Sequence, residues 1–248
     1  MEAAQNEARI LWRIYKFEQE EVMGDIAIKE VIKQPLAKRG MAQAMTYAWQ
    51  NVPLFVQMFN ANADNLIRTK KELGYTYNDI IIKCMVNAVK KVPQVNSTLD
   101  GKNWIIYEDI NVGVAIISEH GLYVPVIKKA NNMTVQDISE AVKDLAQKTR
   151  SRSLTMEDMQ DATISMSNLG PTAVETGVAI LTPPQGAILF AGNIRKVPMV
   201  NENDEIVVGR QIGFSMGYDH RFLDGMIGQA FDTAFKKEIE EVCRDSLF

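Results

Sequence analysis

Between Ile212 and Ile239 the hydrophobic period of this chain changes once, and one short motif marks the change. Ile212-Gly-Phe-Ser-Met-Gly-Tyr218 alternates like a β-strand, whereas Met226, Ile227, Ala230, Phe231, Ala234, Phe235 and Ile239 recur at helical spacing. Two such periods in tandem commit the segment to a sheet that hands over to an amphipathic helix. His220-Arg-Phe-Leu-Asp224-Gly225 occupies the handover, a place that folds often use for chemistry, and Asp224 stands where a helix takes its cap. The chain has only two histidines, so a base working near neutral pH has few candidates. His220 is the better placed. His120, in the turn Glu119-His120-Gly121, reads as a solvated loop residue.

The remaining pattern supplies mixed elements. Residues 36–50 read as a helix, 52–60 as a strand, and 64–73 as a short helix capped by Asn62 or Asp64. Residues 77–92 form an apolar-faced helix stopped by Pro93, and 104–107, 110–117 and 122–127 read as strands. Thr134 with Asp137 opens a helix whose Val135, Ile138, Ala141, Val142 and Leu145 make one stripe. Thr155 caps a short turn, and further strands start at Thr163, Gly186, Glu205 and Ile212. Without strict βαβ alternation, this order predicts an α+β two-layer sandwich, with helices laid on one large mixed sheet.

At 248 residues, 46% of them hydrophobic, the chain can bury a sizeable core, and no Pro/Gly/Ser-rich linker divides it. An N-terminal extension over 1–34 and one globular unit over 35–248 are expected. The net charge of -4 and the lack of a basic block argue against a nucleic-acid binder. No run approaches the ~18 apolar residues of a membrane span, and Met1-Glu-Ala-Ala lacks the basic flank of a signal peptide. A cytoplasmic protein without a membrane partner is expected. Cys84 and Cys243 fall in apolar helical patterns and read as buried or idle thiols, not as disulfide or metal ligands. No metal site is expected. Glu238, Glu240 and Glu241 read as a solvated helix face, and Gly225 and Gly228 as positions that let a helix pack closely.

A second signal lies upstream. Ala162-Thr-Ile-Ser-Met-Ser167-Asn168-Leu-Gly170 is a β-rich run ending in Ser-Asn-x-Gly, and Leu181-Thr-Pro-Pro-Gln185 follows it. In this order, with Asp219-His220-Arg221-x-x-Asp224-Gly225, these motifs resemble the catalytic domain of the dihydrolipoyl acyltransferases. Those are core subunits of 2-oxoacid dehydrogenase complexes within the chloramphenicol acetyltransferase-like superfamily. Asn111-Val-Gly-Val-Ala-Ile116 with Gly121-Leu-Tyr-Val-Pro-Val-Ile127 resembles the family's paired strands, and Leu154-Thr-Met-Glu-Asp-Met159 its turn. The resemblance runs from near Pro35 to near Val242. It implies a chloramphenicol acetyltransferase-like α+β fold and a homotrimer, in some members joined into a hollow cage.

The implied reaction moves an acyl group between the thioester of a dihydrolipoyl arm and the thiol of coenzyme A. A thiol with a pKa of about 8.5 is little ionised at neutral pH, and an imidazole of about 6.5 can take its proton during attack. The resemblance gives His220 that role. Attack leaves a tetrahedral oxyanion, for which Ser167 matches the family's hydroxyl donor. Ser165, two residues earlier on the same strand face, is the rival. Asn168 and Gly225 are carried over as supporting residues. Asp224 matches the family's motif aspartate, with a structural role in an arginine pair; capping of the last helix is compatible with it. Arg39, in Pro35-Leu-Ala-Lys-Arg39-Gly-Met-Ala-Gln-Ala-Met45, is the candidate arginine, although this segment is two residues short of the family pattern. Ser167 and His220 are expected to come from neighbouring subunits, across an active-site channel between them.

The stretch before Pro35 is too short for a lipoyl domain and carries no Asp-Lys-Ala-like lipoylation turn. A lipoyl group presented in trans is therefore expected, together with a 2-oxoacid decarboxylase as a further partner. Two other readings stand beside this one: a free-standing coenzyme A-dependent acyltransferase with a small acceptor, and a non-catalytic cage-forming scaffold. Asp219-His220-Arg221 favours the dihydrolipoyl enzyme over the former, whose branch usually shows His-His. The intact His220, Ser167 and Asp224 argue against the latter.

Overall fold

The computed structural model describes residues 29–119, 121–201 and 203–248, so the expectation for His120 lies outside the described residues. By backbone contact the chain divides into two units, 1–39 and 40–248. In chain order the elements are α1 (Leu36–Asn51), β1 (Leu54–Asn62), α2 (Asp64–Leu73), α3 (Tyr77–Lys91), β2 (Ser97–Asp100), β3 (Asn103–Ile106), β4 (Val112–Val114), β5 (Ile116–Ser118), β6 (Gly121–Tyr123), β7 (Val126–Ile127), α4 (Val135–Ser151), β8 (Ile164–Asn168), β9 (Ala187–Val200), β10 (Ile206–Asp219) and α5 (Gly225–Glu240).

Six strands form one mixed sheet in the order β1-β10-β9-β8-β4-β7. β8 runs parallel to β4 and β9, and the other neighbours are antiparallel. The parallel step from β4 to β8 needs a crossover, and α4 lies on it. Strand alternation then sorts the side chains. Val112, Val114, Ile164, Met166, Leu189, Phe214, Met216 and Tyr218 share one buried cluster with Ile80, Ile81 and Met85 of α3, Ile138 of α4, and Phe231 and Phe235 of α5. Phe214 meets Phe235 edge-on at 4.9 Å. Burial of one such ring stabilises by about 1.5–3 kcal/mol, so this helix face fixes the layer. Helices over a mixed sheet make the expected α+β sandwich.

The opposite face carries Gly113, Ser165, Ser167, Ile188, Phe190, Ser215 and Gly217 in register across four strands. Residues 174–181 cross part of it as a loop, with Asn193 N–H donating to the Val174 carbonyl at 2.9 Å. A side chain at Gly213 would sit 2.5 Å from the Glu175 carbonyl oxygen, and one at Gly192 would collide with the same peptide. Glycine lets backbone approach backbone here.

Several expectations need correction. The two strands expected over 110–117 and 122–127 are each broken: β4 pairs with β7 and β5 with β6, as separate ladders. At the first break Ala115 N–H donates to Met166 O, and at the second Pro125 has no N–H to give. The strands expected from Glu205 and from Ile212 are one strand, β10, with a bulge between Ile212 and Phe214. β2 was not foreseen. The N-cap of α2 is Ala63, without a side-chain cap, although Asn62 Oδ1 accepts from Asp64 N–H at 2.8 Å. Cys84 is buried as expected, whereas Cys243 is exposed beyond the end of α5. Glu238 and Glu240 do not form a solvated face: Glu238 takes Lys91 at 2.5 Å and Asn87 at 3.2 Å, and Glu240 takes Asn62 N–H at 2.9 Å. They tie α5 to its neighbours. Of the two glycines, Gly228 packs closely and Gly225 faces open space.

Candidate active site

β10 ends at Asp219, whose N–H donates to Gly186 O at 3.0 Å, and the chain turns at once. Asp219 is 1% exposed and would be a costly charge alone. Arg221 doubles back on it, with Nε 2.9 and 3.1 Å from the two carboxylate oxygens and Nη2 at 2.6 Å. Bonding to Asp219 raises the Arg221 guanidinium above its ordinary value. This fork locks the turn that presents His220.

His220 is exposed, and its backbone N–H donates to Pro53 O at 3.0 Å. Its Nδ1 lies 3.0 Å from the Leu223 carbonyl oxygen. A carbonyl only accepts, so a neutral imidazole must carry its proton on Nδ1, which leaves Nε2 as the acceptor. The ring rests on Phe55, centroid to centroid 4.4 Å. Asp224 Oδ1 accepts from Met226 N–H at 3.0 Å and Ile227 N–H at 2.9 Å and so caps α5. Gly225 follows as the first helical residue. Arg39 is exposed and belongs to the first unit of the chain, whereas Asp224 belongs to the second.

Ser167 is half-buried on β8, and Ser165 is 5% exposed. A side chain at Gly113 would lie 2.5 Å from Ser165 Oγ, so the missing Cβ on β4 is what houses that hydroxyl. Asn168 closes the strand: its Oδ1 accepts from Gly170 N–H at 2.6 Å, and its Nδ2 donates to Asn78 Oδ1. Asn78 stands in the first turn of α3, within the Thr76–Asp79 capping box.

Register decides which of these groups meet. Ser167 is level with Phe190 on β9 and Ser215 on β10. His220 lies five residues beyond Ser215, which at strand spacing is about 17 Å along the sheet and about 10 Å across it. Ser167 and His220 are therefore far apart within one protomer.

Beside Asn168 and Asn78 opens a cleft of about 670 Å³, with Lys70, Arg195, Lys196 and Arg210 on its wall. Lys70 Nζ sits 5.2 Å over the Tyr77 ring, Arg195 pairs with Glu175 at 2.7 Å, and Arg210 with Asp64 at 3.5 Å. No single sequence motif marks it, since α2, α3, β8, β9 and β10 each supply a part. Among the described residues no cluster of His, Cys, Asp and Glu could hold a metal, and no helix is long and apolar enough to cross a membrane.

Comparison with known proteins extends the resemblance to most of the chain. A plant relative, the dihydrolipoyllysine-residue acetyltransferase component 2 of the mitochondrial pyruvate dehydrogenase complex of Arabidopsis thaliana, is 33% identical over 212 residues. Those residues are 80% of this chain and 39% of the relative, so the chain spans less than half of that protein's length. A solved structure of a probable dihydrolipoamide acetyltransferase from Listeria monocytogenes superposes with a TM-score of 0.84 at 31% identity, covering 90% of this chain and all of that one. The cubic core of a pyruvate dehydrogenase multienzyme complex gives 0.82 at 25% identity, over 92% of this chain and 97% of that one. Chloramphenicol acetyltransferase, at 14% identity and 0.51, shares the fold. The family model for the 2-oxoacid dehydrogenases acyltransferase catalytic domain matches residues 28–244, and the chain belongs to that family.

Proposed function

We propose that this chain is a coenzyme A-dependent acyltransferase that moves an acyl group between a dihydrolipoyl thioester and coenzyme A in a 2-oxoacid dehydrogenase complex. The observation that carries the reading is the Nδ1–H···O bond from His220 to Leu223, which leaves Nε2 free to take a proton. As the thiol sulfur of coenzyme A attacks the thioester carbonyl, Nε2 takes the S–H proton. Ser167 Oγ–H donates to the oxygen that becomes negative. The tetrahedral intermediate collapses, the C–S bond to the dihydrolipoyl arm breaks, and the imidazolium returns its proton to that leaving sulfur. Burial favours Ser167 over Ser165 as the donor, since Ser165 is enclosed against β4.

One protomer holds half of this site, so Ser167 of one copy would face His220 of the next in a homotrimer. The separation of the two residues supports this arrangement. So do the exposed Tyr47 and Trp49 of α1 and Met226 of α5, apolar surface that a partner would cover. The match to a cubic core supports assembly of trimers into a larger cage. The phosphates of coenzyme A suit the basic cleft, which Asn168 joins to Ser167. The lipoyl arm and the 2-oxoacid decarboxylase would be partners on other polypeptides.

The test is transfer from acetyl-CoA to dihydrolipoamide. His220→Ala should lose most of the activity while keeping the assembly. An active, well-folded His220→Ala protein would reject the mechanism.

A further inference from the structure

Behind the His220 ring lies a polar pair for which acyl transfer has no use. Phe55 meets two rings, His220 at 4.4 Å and Tyr218 at 5.1 Å. Tyr218 is wholly buried, and its hydroxyl lies 2.6 Å from Asp232 Oδ1 and 3.2 Å from the Gly228 carbonyl oxygen. A phenol has one proton to donate, and two acceptors face it. With Asp232 as a carboxylate, one of these contacts sets two oxygens together with no proton between them. With Asp232 as an acid, both become hydrogen bonds: Asp232 O–H donates to Tyr218 Oη, and Tyr218 O–H donates on to Gly228 O.

We propose that Asp232 works as this acid and is a positioning residue for His220, acting through Tyr218 and Phe55. The effect on turnover rests on the acyl-transfer reading; the protonation of Asp232 does not. Helix α5 carries the relay and also ends the catalytic turn, since Gly228 N–H donates to Asp224 O at 3.0 Å. There is no slack beside it: a side chain at Gly228 would lie 2.6 Å from Gln57 Oε1 and 3.1 Å from the Tyr218 ring.

Burial disfavours the charge of Asp232 and outweighs the Tyr218 hydrogen bond, which favours it. From β10 it meets Tyr218, and from β1 the neutral Gln57 packs on the same turn, donating to Gly225 O. On its own helix Lys236 lies one turn on, 3.8 Å from Glu240. α3 sends Lys91 and Asn87 to Glu238, and Asn62 and Asn65 meet Glu240, all further along α5. Burial pushes the Asp232 carboxyl up to about 7, and it also pushes the Tyr218 hydroxyl up. The sign follows: the acid's contribution is complete below the carboxyl's ordinary value and is lost as pH rises through about 7.

Infrared spectra of the assembled protein read the acid directly. Wild type should show a protonated-carboxyl band that disappears as pH rises through neutrality, and Asp232→Asn should lack it. Absence of that difference overturns the proposal. Asp232→Asn keeps an N–H donor toward Tyr218 that base cannot remove. The ratio of wild-type to Asp232→Asn kcat should therefore fall about fivefold between about pH 6 and about pH 8, the cost of one ordinary hydrogen bond. Asp232→Leu, with no donor, should be slow at both. A ratio flat with pH, in a protein that shows the band, overturns the positioning role. Inactivity of the wild type itself would count against the acyl-transfer reading, and the band alone would then decide for or against the acid.

Discussion

Ser167 and Ser165 differ by two residues and by what surrounds their hydroxyls. Ser165 fills the space left by Gly113, and Ser167 stands at the more open end of the strand, before Asn168 turns the chain. If Ser167 is the oxyanion donor, Ser167→Ala should lower kcat by roughly 10²- to 10³-fold with little change in KM. Ser165→Ala should leave turnover within a few fold, and steady-state kinetics of the pair would show the reverse if the roles are exchanged. The candidates themselves were legible in the sequence: His220 from the strand-to-helix handover it occupies, and Ser167 from the resemblance of its Ser-Asn-x-Gly run to the family's motif. The tautomer was not. It depends on the Leu223 carbonyl, which faces the imidazole only after the Asp219–Arg221 fork has closed the turn. Nor did the sequence distinguish Ser165 from Ser167, since the glycine that encloses one of them lies on another strand.

At the scale of elements, α5 links motif to core. Its N-terminus is held by Asp224, and its body by Phe231 and Phe235, both wholly buried. Asp224→Ala should cost about 1 kcal/mol of stability, as for a lost cap, and Asp224→Asn should cost much less because an amide oxygen still accepts. Thermal unfolding of both variants measures this. Equal destabilisation by Ala and Asn would mean that the charge of Asp224, not its capping oxygen alone, holds the helix end. α5 was readable because its burial repeats along one face, and α3 because it is a long apolar segment, buried on nearly every side between its Thr76 cap and Pro93. The hairpin region from Val112 to Ile127 was not, since apolar residues continue through its breaks. Only the tertiary bond from Ala115 to Met166 and the absent donor at Pro125 divide β4 from β5 and β6 from β7.

The whole molecule places its charges and its chemistry where no single segment could reveal them. Lys70, Arg195, Lys196 and Arg210 come from three separate elements, and the fold gathers them at one cleft beside Asn168. Lys196→Ala should raise the KM for coenzyme A about fivefold with kcat unchanged, as expected for one lost charge-assisted contact in binding alone. A fall in kcat at constant KM would remove the cleft from substrate binding. The same long-range register that builds the cleft holds Ser167 and His220 apart, so the proposed site would need a second copy. Subunits carrying His220→Ala and subunits carrying Ser167→Ala measure this directly when co-assembled at equal amounts. In a ring where each site takes one residue from each neighbour, about one site in four then regains both groups, and activity should return to about a quarter of wild type. Activity that stays at the level of the two parent variants would contradict a shared site.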